Sequence, residues 1–261
     1  MNKFTGCLPS PVDIRDFKLK LKNEKLPEEF FIGSIPIKNQ NSSPTCVPHT
    51  LSEIVEFHNM KNSGIFTRFS TDFIYGLRQD SYKTEGMYIR DGLKVLSNYG
   101  DVPYSYLKGN SKFAEKAKKS VENNIEELKE ISYPNRISTY YKIDSLKDIK
   151  QAVYIDGPVA ASMKVYEGYK INNGVYEYSI KPTYETHAVL VVGWTNDSLI
   201  LQNSWGKFWG NKGYFKILYK DVKNIIYESY GVTDDIDNVI QPNVMKKKAA
   251  KFVNKLLNLL R

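Results

Sequence analysis

Pro48 constrains this chain more than any other residue. It sits in QNSSPTCVPHTLSEIVEFH, residues 40–58, where a polar turn runs into an apolar periodic segment. Val47, Leu51, Ile54 and Val55 recur at helical spacing and predict one buried helix face. A proline fits a helix only in its first turn, where its missing N–H has no partner to lose. Cys46 therefore falls within a residue or so of the helix N-terminus, with Thr45 or Ser43 as the expected cap. Unpaired N–H groups and aligned peptide dipoles place partial positive charge there and favour a thiolate. Cys46 is thus a candidate nucleophile. The competing reading is a small buried hydrophobe.

Cysteine acyl transfer also needs a base, a group that orients the base, and an oxyanion donor. Three separated residues supply those types. His187 heads the apolar run ETHAVLVVGW, Asn203 ends another in LILQNSWGKFWGNKGYF, and Gln40 precedes Cys46 by six residues. The two other histidines are weaker candidates. His58 lies three turns along the helix and reads as structural or exposed. His49 shares a turn with Cys46 and so cannot face it across a cleft with substrate between.

With Asn39-Gln40 ahead of Cys46, His187-Ala188 opening a strand, and Asn203-Ser204-Trp205-Gly206 followed by Trp209-Gly210 and Gly213-Tyr214, the chain resembles the papain-like cysteine peptidases. The resemblance covers residues 26–233, and Leu26-Pro27 looks like the start of a mature member. It implies peptide-bond hydrolysis through a thioester acyl-enzyme, with no cofactor and no metal. By the same resemblance Cys46 is the nucleophile and His187 the base, later the acid. Asn203 holds the imidazole, Trp205 shields that hydrogen bond, and Gln40 with the Cys46 N–H stabilises the oxyanion. Gly86, Met87, Tyr88, Thr186 and Trp205 are implied to lie against substrate. The chain also departs from the pattern. Asn41-Ser42-Ser43-Pro44 replaces the usual glycine-cysteine-glycine turn, Val47 stands where most members have tryptophan, and His49 where they have a large apolar residue.

Composition narrows the setting. Cys7 and Cys46 are the only cysteines, and pairing them would consume the nucleophile, so a disulfide scaffold is not expected. The expectation is a reducing compartment, the cytoplasm, or a virus particle. MNKFTGCLPSPVD has no apolar signal-peptide core, and no run reaches the ~18 apolar residues of a membrane span. The formal charge of +8 hints at nucleic acid until it is located. Residues 245–261 contribute +6 of it, leaving 31 bases against 29 acids over residues 1–244. No nucleic-acid partner is expected; the partner class is a peptide or protein substrate.

The fold class expected is α+β, in two lobes. Helical patterns occupy about residues 40–130: after the Cys46 helix come a short one capped by Ser70, one in GMYIRDGLKVLSNYG carrying Ile89, Leu93, Val95 and Leu96 and stopped by Gly100, and an amphipathic segment at 109–131. SLKDIKQAVYIDG then reads as a helix with a Ser145–Asp148 capping box and Gly157 as its stop. From Pro158 the pattern changes to strands in VAASMKVY, GVYEYS, HAVLVVGW, SLILQNSW and GYFKILY, which predicts an antiparallel, barrel-like lobe at about 135–233 with a cleft between the halves. Residues 1–25 form a leader with a weak edge-strand pattern in VDIRDFKLKLK; two readings stand side by side, a segment that partly covers the cleft with Cys7 near Cys46, and a frayed terminus with an incidental free thiol.

Residues 234–261 read as a linker and a basic amphipathic helix. Ala249, Phe252, Val253, Leu256, Leu257 and Leu260 fall on one side, and Lys247, Lys248, Lys251 and Lys255 on the other. Such a helix suits an anionic membrane surface, a partner's groove, or packing on the protein's own surface. Two further readings of the whole chain stay open: a catalytically silent peptide-binding module, and a cysteine acyl hydrolase acting on cell-wall peptides.

Overall fold

The computed structural model describes residues 6–13, 24–33, 35–79, 84–109, 111–181 and 183–234. Most of the expected leader strand, and the expected amphipathic helix at 245–261, lie outside the described residues.

The elements run β1 (Cys7–Leu8), β2 (Phe30–Phe31), α1 (Cys46–Ser63), α2 (Thr71–Gly76), β3 (Met87–Tyr88), α3 (Ile89–Asn98), α4 (Ala114–Glu122) and α5 (Ile125–Ser132). They continue with β4 (Thr139–Ile143), α6 (Leu146–Ile155), β5 (Val159–Tyr166), β6 (Lys170–Asn172), β7 (Val175–Glu177), β8 (Tyr184–Trp194), β9 (Ser198–Gln202), β10 (Tyr214–Leu218), α7 (Val222–Ile225) and β11 (Ile226–Thr233). Among the described residues no helix is long and apolar enough to cross a membrane.

Helix α1 begins at Cys46, with Pro48 in its first turn and Thr45 at the cap position, although the Thr45 side chain makes no capping bond. Ser43 Oγ instead binds Thr45 Oγ1 at 2.6 Å and the Gln40 carbonyl at 2.5 Å, so both expected caps serve the turn before the helix. The helix is buried on all sides from Cys46 to His58, more than one apolar face requires. It ends at Gly64, whose left-handed φ of 71° lets its N–H reach the Met60 carbonyl. The segment expected at 109–131 is two helices, parted at Asn123-Asn124.

The large sheet has nine strands in the order β4-β11-β5-β8-β9-β10-β7-β6, with β2 on the far end of β8. It is antiparallel except where β10 meets β7, and its path does not close into a barrel. Its central strands read as unbroken apolar runs because both faces are covered. Ala160, Ala188, Leu190 and Val192 pack with α1, while Val159, Ala161, Val189 and Val191 pack with Ile149, Val153, Phe215 and Ile217. A second, two-stranded sheet pairs β1 with β3 in parallel, Cys7 opposite Met87 and Leu8 opposite Tyr88. That small sheet sets residues 7–8 against β8 and Met87–Tyr88 against α1.

Candidate active site

The turn Gln40–Thr45 is fastened to the strand-rich half. Gln40 N–H donates to the Ser204 carbonyl at 2.8 Å, Gly206 N–H donates to the Lys38 carbonyl at 2.9 Å, and Asn39 bridges Trp205. Lys38 in turn is buried against α1. Its ammonium lies 2.8 Å from Glu56 Oε1 and donates to Ser52 Oγ, and its backbone N–H reaches Glu53 Oε1 at 3.4 Å. Burial beside Glu56 pushes the Glu53 carboxyl up to about 8, against the pull of the Lys38 charge.

The structure brings Cys46, His187, Asn203 and Gln40 to one place. Cys46 opens α1 and is fully buried. His187 sits on β8 opposite Met163, and the N–H of Ala188, the next residue, lies near enough to the Cys46 sulfur to favour its charged form. Imidazole and thiol therefore start from adjoining backbone. The His187 Nε2–H donates to Asn203 Oδ1 at 2.8 Å, which leaves Nδ1 as the nitrogen able to take up a proton. Asn203, just past the end of β9, is held by its N–H on the Gly213 carbonyl at 2.9 Å. The Trp205 indole stacks on the imidazole, and Trp209 meets Trp205 edge-on with centroids 5.0 Å apart. Ser204 Oγ donates to Gln40 Oε1 at 2.6 Å, so the carboxamide turns its N–H groups toward the turn before Cys46, where one donates to the Ser43 carbonyl at 2.7 Å.

His49 is tied down by its surroundings. Its Nδ1–H donates to the Thr45 carbonyl at 2.7 Å, and burial beside the Lys38 charge holds the ring's pKa down at about 3. His58 is buried, not exposed, and burial lowers its pKa to about 4.

The described residues 6–11 lie against Gly86–Arg90, Thr186 and Glu228. Met87 N–H donates to the Gly6 carbonyl at 2.8 Å, Thr186 Oγ1 donates to the Cys7 carbonyl, and Arg90 Nη1 donates to the Pro11 carbonyl at 2.6 Å. Ser10 Oγ donates to Glu228 Oε1 at 3.3 Å. Contact is close enough to require glycine twice. A Cβ on Gly6 would collide with the Pro44 carbonyl, and one on Gly86 would meet the Gly6 oxygen at 2.8 Å. Gly86, Met87, Tyr88 and Thr186, expected to face substrate, meet residues 6–8 here, and Trp205 covers His187. The helix-terminus argument for a lowered thiol pKa is overridden in this state. Desolvation pushes Cys46 up to about 11, although the N–H groups of Ala188, Gly6 and Val47 pull the other way.

Sequence reasoning did not single out Ser204, which orients Gln40, though it lies in the NSWG block. It also missed Ser162, Tyr227 and Glu228, which meet the leader from β5 and β11. No signal pointed to the last two, because β11 has no apolar run. Among the described residues no group of three or more His, Cys, Asp or Glu is placed to hold a metal.

Comparison with known proteins places the chain in a family. Residues 34–234 match the model of the family described as papain family cysteine protease. The gut-specific cysteine proteinase of Caenorhabditis elegans is 36% identical over 90 residues, covering 33% of this chain and 27% of that protein. Chymomexicain of Jacaratia mexicana is 27% identical over 186 residues, 70% of this chain and 82% of its own. The matches to the first five curated relatives span about a quarter of those proteins' length, 20–27%. Among solved structures, xylellain, a cysteine protease from Xylella fastidiosa, superimposes with a TM-score of 0.78 at 21% identity over 89% of this chain and 97% of its own, a likeness of fold. The procathepsin B S9 of Trypanosoma congolense gives 0.70 at 18% identity over 89% and 87%. From Cys46 on its buried helix to Asn203 behind the imidazole, sequence and fold agree: the chain belongs to the papain family of cysteine proteases.

Proposed function

We propose that this chain is a cysteine endopeptidase that hydrolyses peptide bonds of peptide or protein substrates through a thioester acyl-enzyme. The observation that carries this is His187 bound through Nε2 to Asn203 beneath Trp205, on the strand whose next N–H lies near the Cys46 sulfur. In the open cleft, water or substrate replaces the leader around Cys46 and the desolvation falls. The thiol then passes its proton to His187 Nδ1, and the thiolate attacks the scissile carbonyl. The Cys46 N–H and the Gln40 amide stabilise the oxyanion, and His187 returns the proton to the leaving amine. Water next hydrolyses the thioester with the same histidine as base.

The leader, seated on both cleft walls, holds the enzyme closed in this reading. Gly86, Met87, Tyr88 and Thr186 receive substrate once it leaves. The enzyme works where thiols stay reduced, in the cytoplasm or a virus particle, and the basic segment 245–261 takes it to an anionic membrane surface. Co-sedimentation with anionic vesicles, with and without residues 245–261, tests that last point; binding that ignores the tail or salt would end it.

The central test is labelling by an epoxide peptide inhibitor of the E-64 type together with hydrolysis of a fluorogenic peptide. Labelling is expected at Cys46 and turnover is expected to vanish in Cys46→Ser. A protein that neither labels nor cleaves after its leader is removed is not a peptidase.

A further inference from the structure

The only two cysteines of the chain, 39 positions apart, end up in one buried cluster. Gly6 lies hard against the Pro44 carbonyl, two residues before Cys46, its N–H favours the Cys46 thiolate, and Cys7 is the next residue. The Cys7 backbone is pinned there by Thr186 on its carbonyl and by its register opposite Met87. Neither thiol is in a disulfide, and the Cys7 sulfur rests 2.8 Å from Ser162 Oγ, with the Tyr227 hydroxyl at 3.8 Å. The Cys7 side chain packs within that cluster, and its sulfur has polar neighbours in these two hydroxyls and, at 3.9 Å, the Leu8 carbonyl.

We propose that Cys7 is a resolving thiol for the nucleophile: after a hydroperoxide oxidises Cys46, the leader closes and Cys7 joins it in a reducible disulfide. The atoms balance in two steps. In the open enzyme the Cys46 thiolate attacks the terminal peroxide oxygen, the O–O bond breaks, and the alcohol or water leaves with Cys46 as a sulfenic acid. Cys7 then attacks the Cys46 sulfur, the S–O bond breaks, and water carries away the hydroxyl and the proton. Two thiols lose two electrons and the hydroperoxide gains them. A dithiol reductant reverses the link.

The order of events follows from burial. In the closed state desolvation keeps both thiols protonated and hence unreactive, so oxidation belongs to the open enzyme. For the link to form, Cys7 leaves Ser162 and swings toward position 46. The alternative fate of an unprotected sulfenic acid is further oxidation to sulfinic acid, which ordinary thiols do not reverse. The leader that shuts the enzyme thus also preserves it.

The test uses the full chain, reduced and then exposed to hydrogen peroxide, with free thiols alkylated before non-reducing digestion. Mass mapping is expected to find a peptide joining Cys7 to Cys46, lighter by two hydrogens, and a dithiol is expected to restore peptidase activity. Cys7→Ser and Cys7→Ala are expected to be as active as wild type before peroxide, but to lose reversibility and accumulate sulfinic acid at Cys46. Absence of the joined peptide while Cys46 oxidises, or equal recovery by the Cys7 variants, would overturn the proposal. The mass map does not depend on turnover. A protein that forms the link but cleaves no peptide even when reduced counts against the peptidase reading, not against the link.

Discussion

The indole of Trp205 lies over the imidazole of His187, ring centroids 4.4 Å apart and planes 26° from parallel. This lid keeps water from the bond between His187 Nε2 and Asn203 Oδ1, in a site where both residues are buried. A hydrogen bond to a group that becomes charged contributes ~1.5–3 kcal/mol. Asn203→Ala is therefore expected to lower kcat about ten- to a hundredfold with little change in KM, and Trp205→Ala to lower it in the same direction. Steady-state kinetics of both variants on one fluorogenic peptide decide the matter; unchanged kcat in Asn203→Ala would remove the orienting role.

Two histidines flank the nucleophile, and their environments assign them opposite fates. His49 is tied to the Thr45 carbonyl and kept neutral by burial, with a pKa of about 3. His187→Ala is expected to abolish turnover and labelling by the epoxide. His49→Ala is expected to retain most of the turnover and to lose stability by loosening the first turn of α1. Comparing kcat/KM with the thermal midpoint for each variant separates the roles.

Gly6 marks the tightest point of the leader. A side chain there would press on the Pro44 carbonyl, so Gly6→Val is expected to displace the leader without touching the catalytic residues. Activity on a small peptide is expected to rise toward that of a chain lacking residues 2–24, and epoxide labelling to speed up. If both changes leave the rate where it was, the leader is not what keeps the cleft shut.

The buried carboxyl of Glu53 gives a signed pH dependence. Its folded pKa of about 8 stands above the ordinary value of 4.5. Between those two values the unfolded chain has lost a proton that the folded chain keeps, so stability falls as pH rises through that window. Glu53→Gln keeps the oxygen that accepts from Lys38 N–H and removes the titration. Wild type is expected to lose more in thermal midpoint from pH 5 to pH 8 than Glu53→Gln does. Parallel curves for the two proteins would contradict the assignment.

What the sequence announced and what it hid differ for a physical reason. The start of α1, the Ser145–Asp148 capping box and the whole of β5 rest on local chemistry, and each appears where the pattern places it. The four proposed catalytic residues were legible because each adjoins a strong local signal. Strands β1 and β3 are two residues long and exist only through their pairing, which no local pattern encodes. Strand β11 buries Ser229 and Tyr230 beside the polar Glu228, so it shows no apolar alternation. The Cys46 pKa was misjudged because its environment depends on a segment 40 residues upstream, not on its own helix.

The fastening of Lys38 to Glu56 and Ser52 has a consequence for heat. The loop bearing Gln40 and the helix bearing Cys46 are clamped to each other two turns beyond the sulfur, and to the NSWG segment on the opposite side. Oxyanion donor and nucleophile cannot drift apart while that clamp is closed, and the clamp lies in the core. Warming is thus expected to leave no temperature band in which the molecule is folded but idle: activity and structure vanish together.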